Sequence, residues 1–196
     1  MRPSYGSSMS WIFFREYIKH FRDTGALAPS SPGLARKMMK AARVSEAKNL
    51  LELGPGTGAF TKEIRRALPQ GANYLGLDLN AAFIESLRSQ FPEMRFEQSA
   101  AQEFDYGQFM AEGGFDTIVS GLPWANLPES IQTELLEQIF RVLKPGGVFA
   151  TFVYTGIHYL PRGQRFRRLL TEASKSVELT STVWGNLPPA FIYVAQ

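Results

Sequence analysis

Between residues 49 and 173 the apolar positions switch repeatedly between two spacings. Short runs without helical spacing, at 49–53 (NLLEL), 73–78 (NYLGLD), 94–97, 115–120 (FDTIVS) and 148–153, read as strands. Between them, stretches with an apolar residue every third or fourth position, at 59–68, 81–90, 129–141 and about 163–173, read as helices. Asn80 is placed to cap the second of these and Pro69 to stop the first. Residues 102–113, acidic and glycine-bearing, predict a short helix among loops, and LKPGG at 143–147 predicts a helix stop and a turn. Strands alternating with helices imply a mostly parallel sheet covered on both faces. Two closing strands at 177–184 and 190–195, with only a short connection, imply an antiparallel pair at one edge.

The first 48 residues follow a different pattern. Ser10 can cap a helix running to about Arg22, with Trp11, Phe14, Ile18 and Phe21 near one face and Phe13 and Tyr17 widening it. Arg15, Lys19 and Arg22 occupy the remaining positions. Such an aromatic, basic, amphipathic helix suits a membrane interface, and equally suits a lid packed on the domain with its charges in water. Gly25, Pro29 and Pro32 break the next stretch, Ser31 can cap, and a second helix runs to about Arg43 with Leu34, Met38 and Met39 inward. The turn at 24–33 is either a flap over a ligand or an ordinary connection. No repeat and no long linker divides the chain, so residues 1–48 are expected to form a helical cap on the domain made by residues 49–196.

Composition narrows the chemistry. The chain has 196 residues, 44% of them hydrophobic and 20% charged, which is the profile of an ordinary globular protein. It has no cysteine, which excludes disulfides, thiolate metal sites and a cysteine nucleophile. His20 and His158 are the two imidazoles, so no metal site is expected. Residues 1–48 carry nine Lys or Arg against three Asp or Glu, whereas the remainder carries twelve against fifteen. That asymmetry directs the N-terminal quarter toward an anionic surface. No apolar run is long enough to span a membrane, and Met9 to Phe14, closed by Arg15 and Glu16, is too short for a signal peptide. The expectation is a cytoplasmic protein touching the inner face of a membrane peripherally.

The candidate chemistry lies at the carboxyl ends of the strands, where doubly wound sheets bind ligands. Gly54, Gly56 and Gly58, flanking Pro55, make a G-x-G-x-G turn between a strand and a helix, which lets backbone approach a polar or anionic ligand. Asp78, with Leu79 after it, follows Gly54 by the separation at which an acid meets ribose hydroxyls, though it can also act as a local cap. Residues 99–102 follow the third strand and the turn Ser120, Gly121, Leu122, Pro123, Trp124 follows the fourth. Glu52, inside the first strand, is costly unless paired or near a ligand cation. A hydride-transfer enzyme has no need of the fourth turn. Transfer to an amine nitrogen gains from it, because its backbone and Ser120 oxygens can accept hydrogen bonds from the amine. Trp124 is either a flat wall beside the substrate or an aromatic plug.

Residues 49–60 with Asp78 resemble the first two motifs of the class I S-adenosylmethionine-dependent methyltransferases. The set TGALAPSSPGLARKM, LELGPGTGAFT, VSGLPWANLP and LKPGG, from about residue 10 to the end, is similar to the small bacterial N-methyltransferases of phosphatidylethanolamine and ornithine lipids. GLPW is also similar to the N-[LI]-P-[YF] turn of the ribosomal RNA adenine dimethylases, with Gly121 in place of the leading asparagine. The resemblance implies a Rossmann-like α/β fold with a mostly parallel seven-stranded sheet, an antiparallel edge strand and an N-terminal helical cap.

It also implies S-adenosyl-L-methionine as cofactor and S-adenosyl-L-homocysteine as product. Glu52, Gly54, Gly56 and Gly58 would surround the methionine part, Asp78 and Leu79 the ribose, and Ala100 and Ala101 the adenine. Ser99 stands where an aspartate often precedes that alanine, so Gln102 is an alternative partner for the adenine amine. The substrate implied is the headgroup amine of a membrane lipid, phosphatidylethanolamine and its partly methylated forms first. Trp11, Phe14, Arg15, Tyr17, Ile18, Lys19, Phe21 and Arg22 would meet an anionic membrane. Arg162 and Arg165 can bind the lipid phosphate, and Tyr154 or His158 can accept the amine proton. No nucleic acid or protein partner is expected. The competing readings are an RNA adenine N6-methyltransferase and a nonenzymatic membrane-associated binding protein.

Overall fold

The computed structural model describes residues 30–196, so the helix expected over residues 10–22 and every membrane-facing position assigned to it lie outside the described residues. The first helix, α1 (Pro32–Ala41), begins as its sequence requires: Ser31 Oγ accepts the Leu34 N–H at 3.2 Å and Pro32 opens the first turn. Strands and helices then alternate as β1 (Asn49–Leu53), α2 (Thr61–Ala67), β2 (Asn73–Asp78), α3 (Ala81–Gln90), β3 (Arg95–Gln98), α4 (Gly107–Ala111) and β4 (Phe115–Ser120). After a 3-10 turn at Trp124–Asn126 come α5 (Glu129–Val142), β5 (Leu143–Tyr154), α6 (Thr155–His158), α7 (Pro161–Ala173), β6 (Val177–Leu179) and β7 (Ala190–Ala195).

The seven strands form one sheet in the order β3-β2-β1-β4-β5-β7-β6. The first five are mutually parallel, and β7 runs antiparallel to both β5 and β6. The expected antiparallel pair is therefore present, with β7 inserted between β5 and the short edge strand β6. The strand order reverses between β1 and β4, which pair from Leu50↔Thr117 to Leu53↔Ser120. A ligand crevice in such a sheet lies at that reversal, beyond the strand ends.

Alternation along each strand divides the core. Leu51, Leu53, Leu75, Leu77, Ile118 and Phe149 pack with Ile131, Leu135 and Ile139 of α5 and Phe166 and Leu170 of α7. Leu50, Val119, Ala150, Phe152 and Ile192 face the other way, toward Leu34 and Met38 of α1, Ile64 of α2 and Ile84 and Leu87 of α3. Glu52 shares the parity of Leu50, so its carboxyl belongs to the second layer.

Two elements differ from the sequence expectation. LKPGG is absorbed into β5 rather than standing before it as a turn. Phe115 pairs with Leu143 and Thr117 with Val148, so the intervening residues loop out of the ladder, with Gly146 at φ 79°. The penultimate strand stops at Leu179, followed by an isolated bridge from Val183 to Ala190. Side chains displace its ladder: Thr180 Oγ1 accepts the Ile192 N–H at 3.1 Å, and Lys37 Nζ donates to the Ser181 carbonyl at 2.5 Å.

Candidate active site

The loop between β1 and α2 turns through three glycines in the left-handed region, with φ of 68° at Gly54, 57° at Gly56 and 85° at Gly58. Side chains there would be strained, and a Cβ at Gly58 would also press on Leu87 and Phe91 of the core. Gly54 N–H donates to the Leu77 carbonyl at 2.8 Å, which fastens the loop to the end of β2, and Pro55 accepts the Gly58 N–H through its carbonyl at 3.0 Å. Asp78 completes the fastening. Its Oδ2 accepts the Gly56 N–H and its Oδ1 accepts the Asn80 N–H, each at 3.0 Å. A carboxylate oxygen accepts more than one hydrogen bond, so this geometry serves both local capping and hydroxyl recognition.

Glu52 is completely buried directly before the glycines. Its Oε2 accepts the Thr61 hydroxyl at 2.9 Å and the Tyr74 hydroxyl at 2.5 Å, while Oε1 is buried without a partner. Burial pushes its pKa up from 4.5 to about 7, despite the two hydroxyls that favour the anion; the Asp78 charge adds to the upward shift. Tyr74 reaches Glu52 across Gly76, the residue paired with Glu52 in the neighbouring strand: a Cβ at Gly76 would lie 2.7 Å from the Tyr74 hydroxyl. Tyr74 and Thr61 were missed from the sequence. The available signal was a glycine inside an otherwise apolar strand, which marks a close approach.

After β3, Ser99 N–H donates to the Asp78 carbonyl at 3.2 Å and its hydroxyl to the Ala100 carbonyl at 3.0 Å. Ala100 and Ala101 are buried, and Leu79 packs at the margin of the core. Both polar atoms of the Gln102 side chain are buried without a protein partner. An amide offers a donor and an acceptor side by side, which is what the edge of an adenine presents in mirror image. The glycine turn, the unpartnered Glu52 oxygen and the unpartnered Gln102 amide are together a fit for a cofactor with a cationic end and a purine end.

The turn after β4 meets the glycine loop at a single point. Gly121 N–H donates to the Leu53 carbonyl at 2.8 Å, and a Cβ on Gly121 would lie 2.7 Å from the Gly54 carbonyl oxygen. No side chain fits there without parting the two loops. Ser120 is buried, with Oγ accepting the Trp124 indole N–H at 2.9 Å and the Leu122 N–H at 3.3 Å. Leu122 packs beside the core as a partly buried residue. Trp124 is 1% exposed and stacks on Phe166 with ring centroids 5.0 Å apart. Its ring braces the turn from inside the core and is not the substrate wall that the sequence allowed.

Tyr154 and His158 do not come together. Tyr154, half-buried at the end of β5, packs edge-on against Phe152 at 5.4 Å, and Phe152 lies 5.7 Å from Phe60 at the start of α2. Burial raises the Tyr154 pKa, so its phenol stays protonated at neutral pH. His158 lies on the opposite layer, with Nδ1 2.7 Å from the buried Tyr193 hydroxyl, and burial first, then the Arg167 charge, lowers its pKa. That pairing makes His158 a core residue rather than the proton acceptor expected. Arg165 donates to the Leu127 carbonyl at 3.2 Å and so braces the end of the turn after β4. Arg162 is exposed at the start of α7.

The methyltransferase-domain family matches residues 50–147, half of the chain. An ornithine lipid N-methyltransferase of Singulisphaera acidiphila is 31% identical over 191 residues, 95% of each chain. A ribosomal RNA small subunit methyltransferase A of Acidithiobacillus ferrooxidans is 29% identical over 81% of this chain, which spans 60% of that relative. Among solved structures, an O-methyltransferase from Bacillus cereus in complex with S-adenosylhomocysteine superposes with a TM-score of 0.64 at 19% identity, covering 92% of this chain and 89% of that one.

Proposed function

Since the chain belongs to the class I S-adenosylmethionine-dependent methyltransferases, we propose that it methylates the headgroup amine of a membrane lipid, phosphatidylethanolamine and its partly methylated forms first. The observation that carries this reading is the lack of room at Gly121, where a Cβ would lie 2.7 Å from the Gly54 carbonyl oxygen. A planar adenine amine is held in the RNA-type turn by an asparagine side chain at that position, and here no side chain fits. What remains is backbone, which accepts hydrogen bonds from an amine on a flexible aliphatic stem. The full-length similarity to a relative named for an amine-bearing lipid supports the same choice.

S-adenosylmethionine, when bound, would supply an electrophilic methyl group to the neutral amine nitrogen, with S-adenosylhomocysteine as leaving group and a methylammonium that passes its proton to water on product release. Asp78 receives the ribose hydroxyls while holding the glycine loop through Gly56. Glu52, through its unpartnered oxygen, compensates the ammonium of the amino-acid end, and Gln102 reads the purine edge. Ser120 and Trp124 are positioning residues, since they fix the course of the turn from beneath. Backbone carbonyls of that turn orient the amine, and the neutral Tyr154 phenol accepts a hydrogen bond from it without acting as a strong base. Alignment and exclusion of water then account for most of the acceleration. Arg162 is placed to meet the lipid phosphate. The site would work at the inner face of a membrane, which the aromatic and basic sequence of residues 10–22 suits.

The test is mass-spectrometric methyl incorporation from labelled S-adenosylmethionine into anionic vesicles with and without phosphatidylethanolamine, with ribosomal RNA in parallel. Methylated lipid that requires the amine lipid is the expected result. Methylated RNA with untouched lipid would overturn the reading.

A further inference from the structure

Two loops at the ligand end of the sheet carry large side chains that are mostly exposed, although the Tyr159 ring meets His158 edge-on at 4.9 Å. Trp184 is 75% exposed and Leu187 82% exposed on the loop between β6 and β7, and Tyr159 is 74% exposed and Leu160 43% exposed between α6 and α7. The loops are neighbours. β5 ends where β7 begins, at Tyr154↔Ala190, and the Thr155 N–H donates to the Pro189 carbonyl at 2.9 Å. The β6–β7 loop is also cinched at its base. Asn186, 3% exposed, accepts the Ser31 N–H at 2.9 Å and donates to the Pro188 carbonyl at 2.6 Å, and the Val183 N–H donates to the Ala190 carbonyl at 2.7 Å. Trp184 and Leu187 thus flank a buried, doubly bonded asparagine and are held outward by it.

The charge beside these loops is mostly positive, although Arg168 is paired with Glu129 and Glu172. Residues 30–45 carry four Lys or Arg and residues 155–171 four Arg, with no Asp or Glu in either segment and no charged residue at all from 180 to 196. Lys37 is tied to the β6–β7 loop by its bonds to Ser181, and Arg162 follows Leu160 directly. A tryptophan and leucine tip with cations behind it matches the boundary of an anionic bilayer, where the indole sits at headgroup level and Lys or Arg meets phosphate.

We infer that the tips of the β6–β7 loop and the α6–α7 junction form a membrane-insertion rim that seats the crevice mouth on an anionic lipid surface, separately from residues 10–22. This inference rests on the lipid reading of the site. It assigns Trp184 and Leu187 to the acyl boundary and Lys37 and Arg162 to lipid phosphates.

The experiment uses the full chain with W11F, which leaves Trp124 and Trp184 as its tryptophans. Vesicles of phosphatidylcholine, phosphatidylglycerol and phosphatidylethanolamine with brominated acyl chains are added with S-adenosylmethionine, and emission is followed beside cosedimentation and methylated lipid. Trp124 is buried, so the expected quenching and blue shift come from Trp184 and vanish in W11F/W184F. W184S/L187S in the otherwise native chain is expected to lower vesicle partitioning by about tenfold or more. Protein that fails to cosediment, or cosediments with Trp184 unquenched, overturns the inference. So does a Trp184 already shielded from acrylamide before vesicles are added, because residues 1–29 or a second copy then cover it. Lipid methylation with an unquenched Trp184 would fault the rim alone. Quenching without any lipid methylation would fault the proposed reaction and leave the rim standing.

Discussion

Replacing Glu52 by glutamine tests whether the carboxyl beneath the glycine loop is kept as the neutral acid in the cofactor-free protein. The group is fully buried and its pKa is pushed from 4.5 to about 7, chiefly by desolvation. In the unfolded chain it titrates near its ordinary value. Between those two pH values the folded protein therefore holds a proton that the unfolded chain has released. Stability must then fall as pH rises, by about 1.4 kcal/mol per unit and about 3 kcal/mol in all once both states are ionised. Below pH 4.5 both states are protonated and the group contributes no pH dependence. Glutamine has the same shape, keeps an acceptor for Thr61 and Tyr74, and never ionises. It leaves one buried polar atom unpartnered, as the neutral acid does, so that cost cancels. E52Q is expected to match the parent at about pH 4.5 and to be more stable by about 3 kcal/mol at about pH 8.5. Urea unfolding followed by circular dichroism at half-unit steps measures the difference. A difference that stays flat across the window refutes the buried-acid argument. With cofactor present the order reverses, because the amide cannot compensate the bound ammonium; the parent's affinity should rise with pH up to about 7 and that of E52Q should not.

The remaining predictions concern the two loops. G121A should cost about 1–3 kcal/mol of stability, because its Cβ meets the Gly54 carbonyl, and should lower methyl transfer at least roughly tenfold; turnover like the parent's would show that the loops can part freely. D78N exchanges the charged acceptor of the Gly56 N–H for a neutral one and should weaken S-adenosylhomocysteine binding, by calorimetry, by about 1.5–3 kcal/mol. W124A should cost about 3–5 kcal/mol in urea unfolding, with W124F much milder. Unchanged stability in W124A with a raised KM for lipid would return Trp124 to the substrate wall.

Much of this architecture was legible because it is written in local periodicity. The bounds of β1, β2, α3 and β4 follow from runs and caps within each segment, and Ser31 and Asn80 cap as their positions suggest. The glycine loop was legible for the same reason: three alternate glycines have few other uses. What was not legible depends on partners distant in sequence. LKPGG has the composition of a turn, yet β4 recruits Leu143 into the sheet and loops the glycines out. Trp124 ends a turn placed at the ligand end of the sheet, yet Phe166, more than forty residues on, captures its ring. His158 has the chemistry of a proton acceptor, and Tyr193 on β7 holds it in the core. Glu52 could be flagged as costly, but its relief by Tyr74 depends on the register that sets Gly76 beside it.

Strand pairing also explains why substrate choice and cofactor binding are hard to separate in this site. Leu53 pairs with Ser120, so the residues that follow them, Gly54 and Gly121, emerge side by side from neighbouring strands. Each is locked to a strand by a backbone bond, Gly54 to Leu77 and Gly121 to Leu53. A side chain introduced at Gly121 to read a substrate would press directly on the loop that cradles the cofactor. Selection of the substrate is therefore expected from segments that touch neither glycine. The α6–α7 junction with Arg162 and the β6–β7 loop lie beside the end of β5 and meet that requirement. Changes of substrate preference should accordingly arise there at little cost to cofactor affinity, whereas changes within the turn should lower both together.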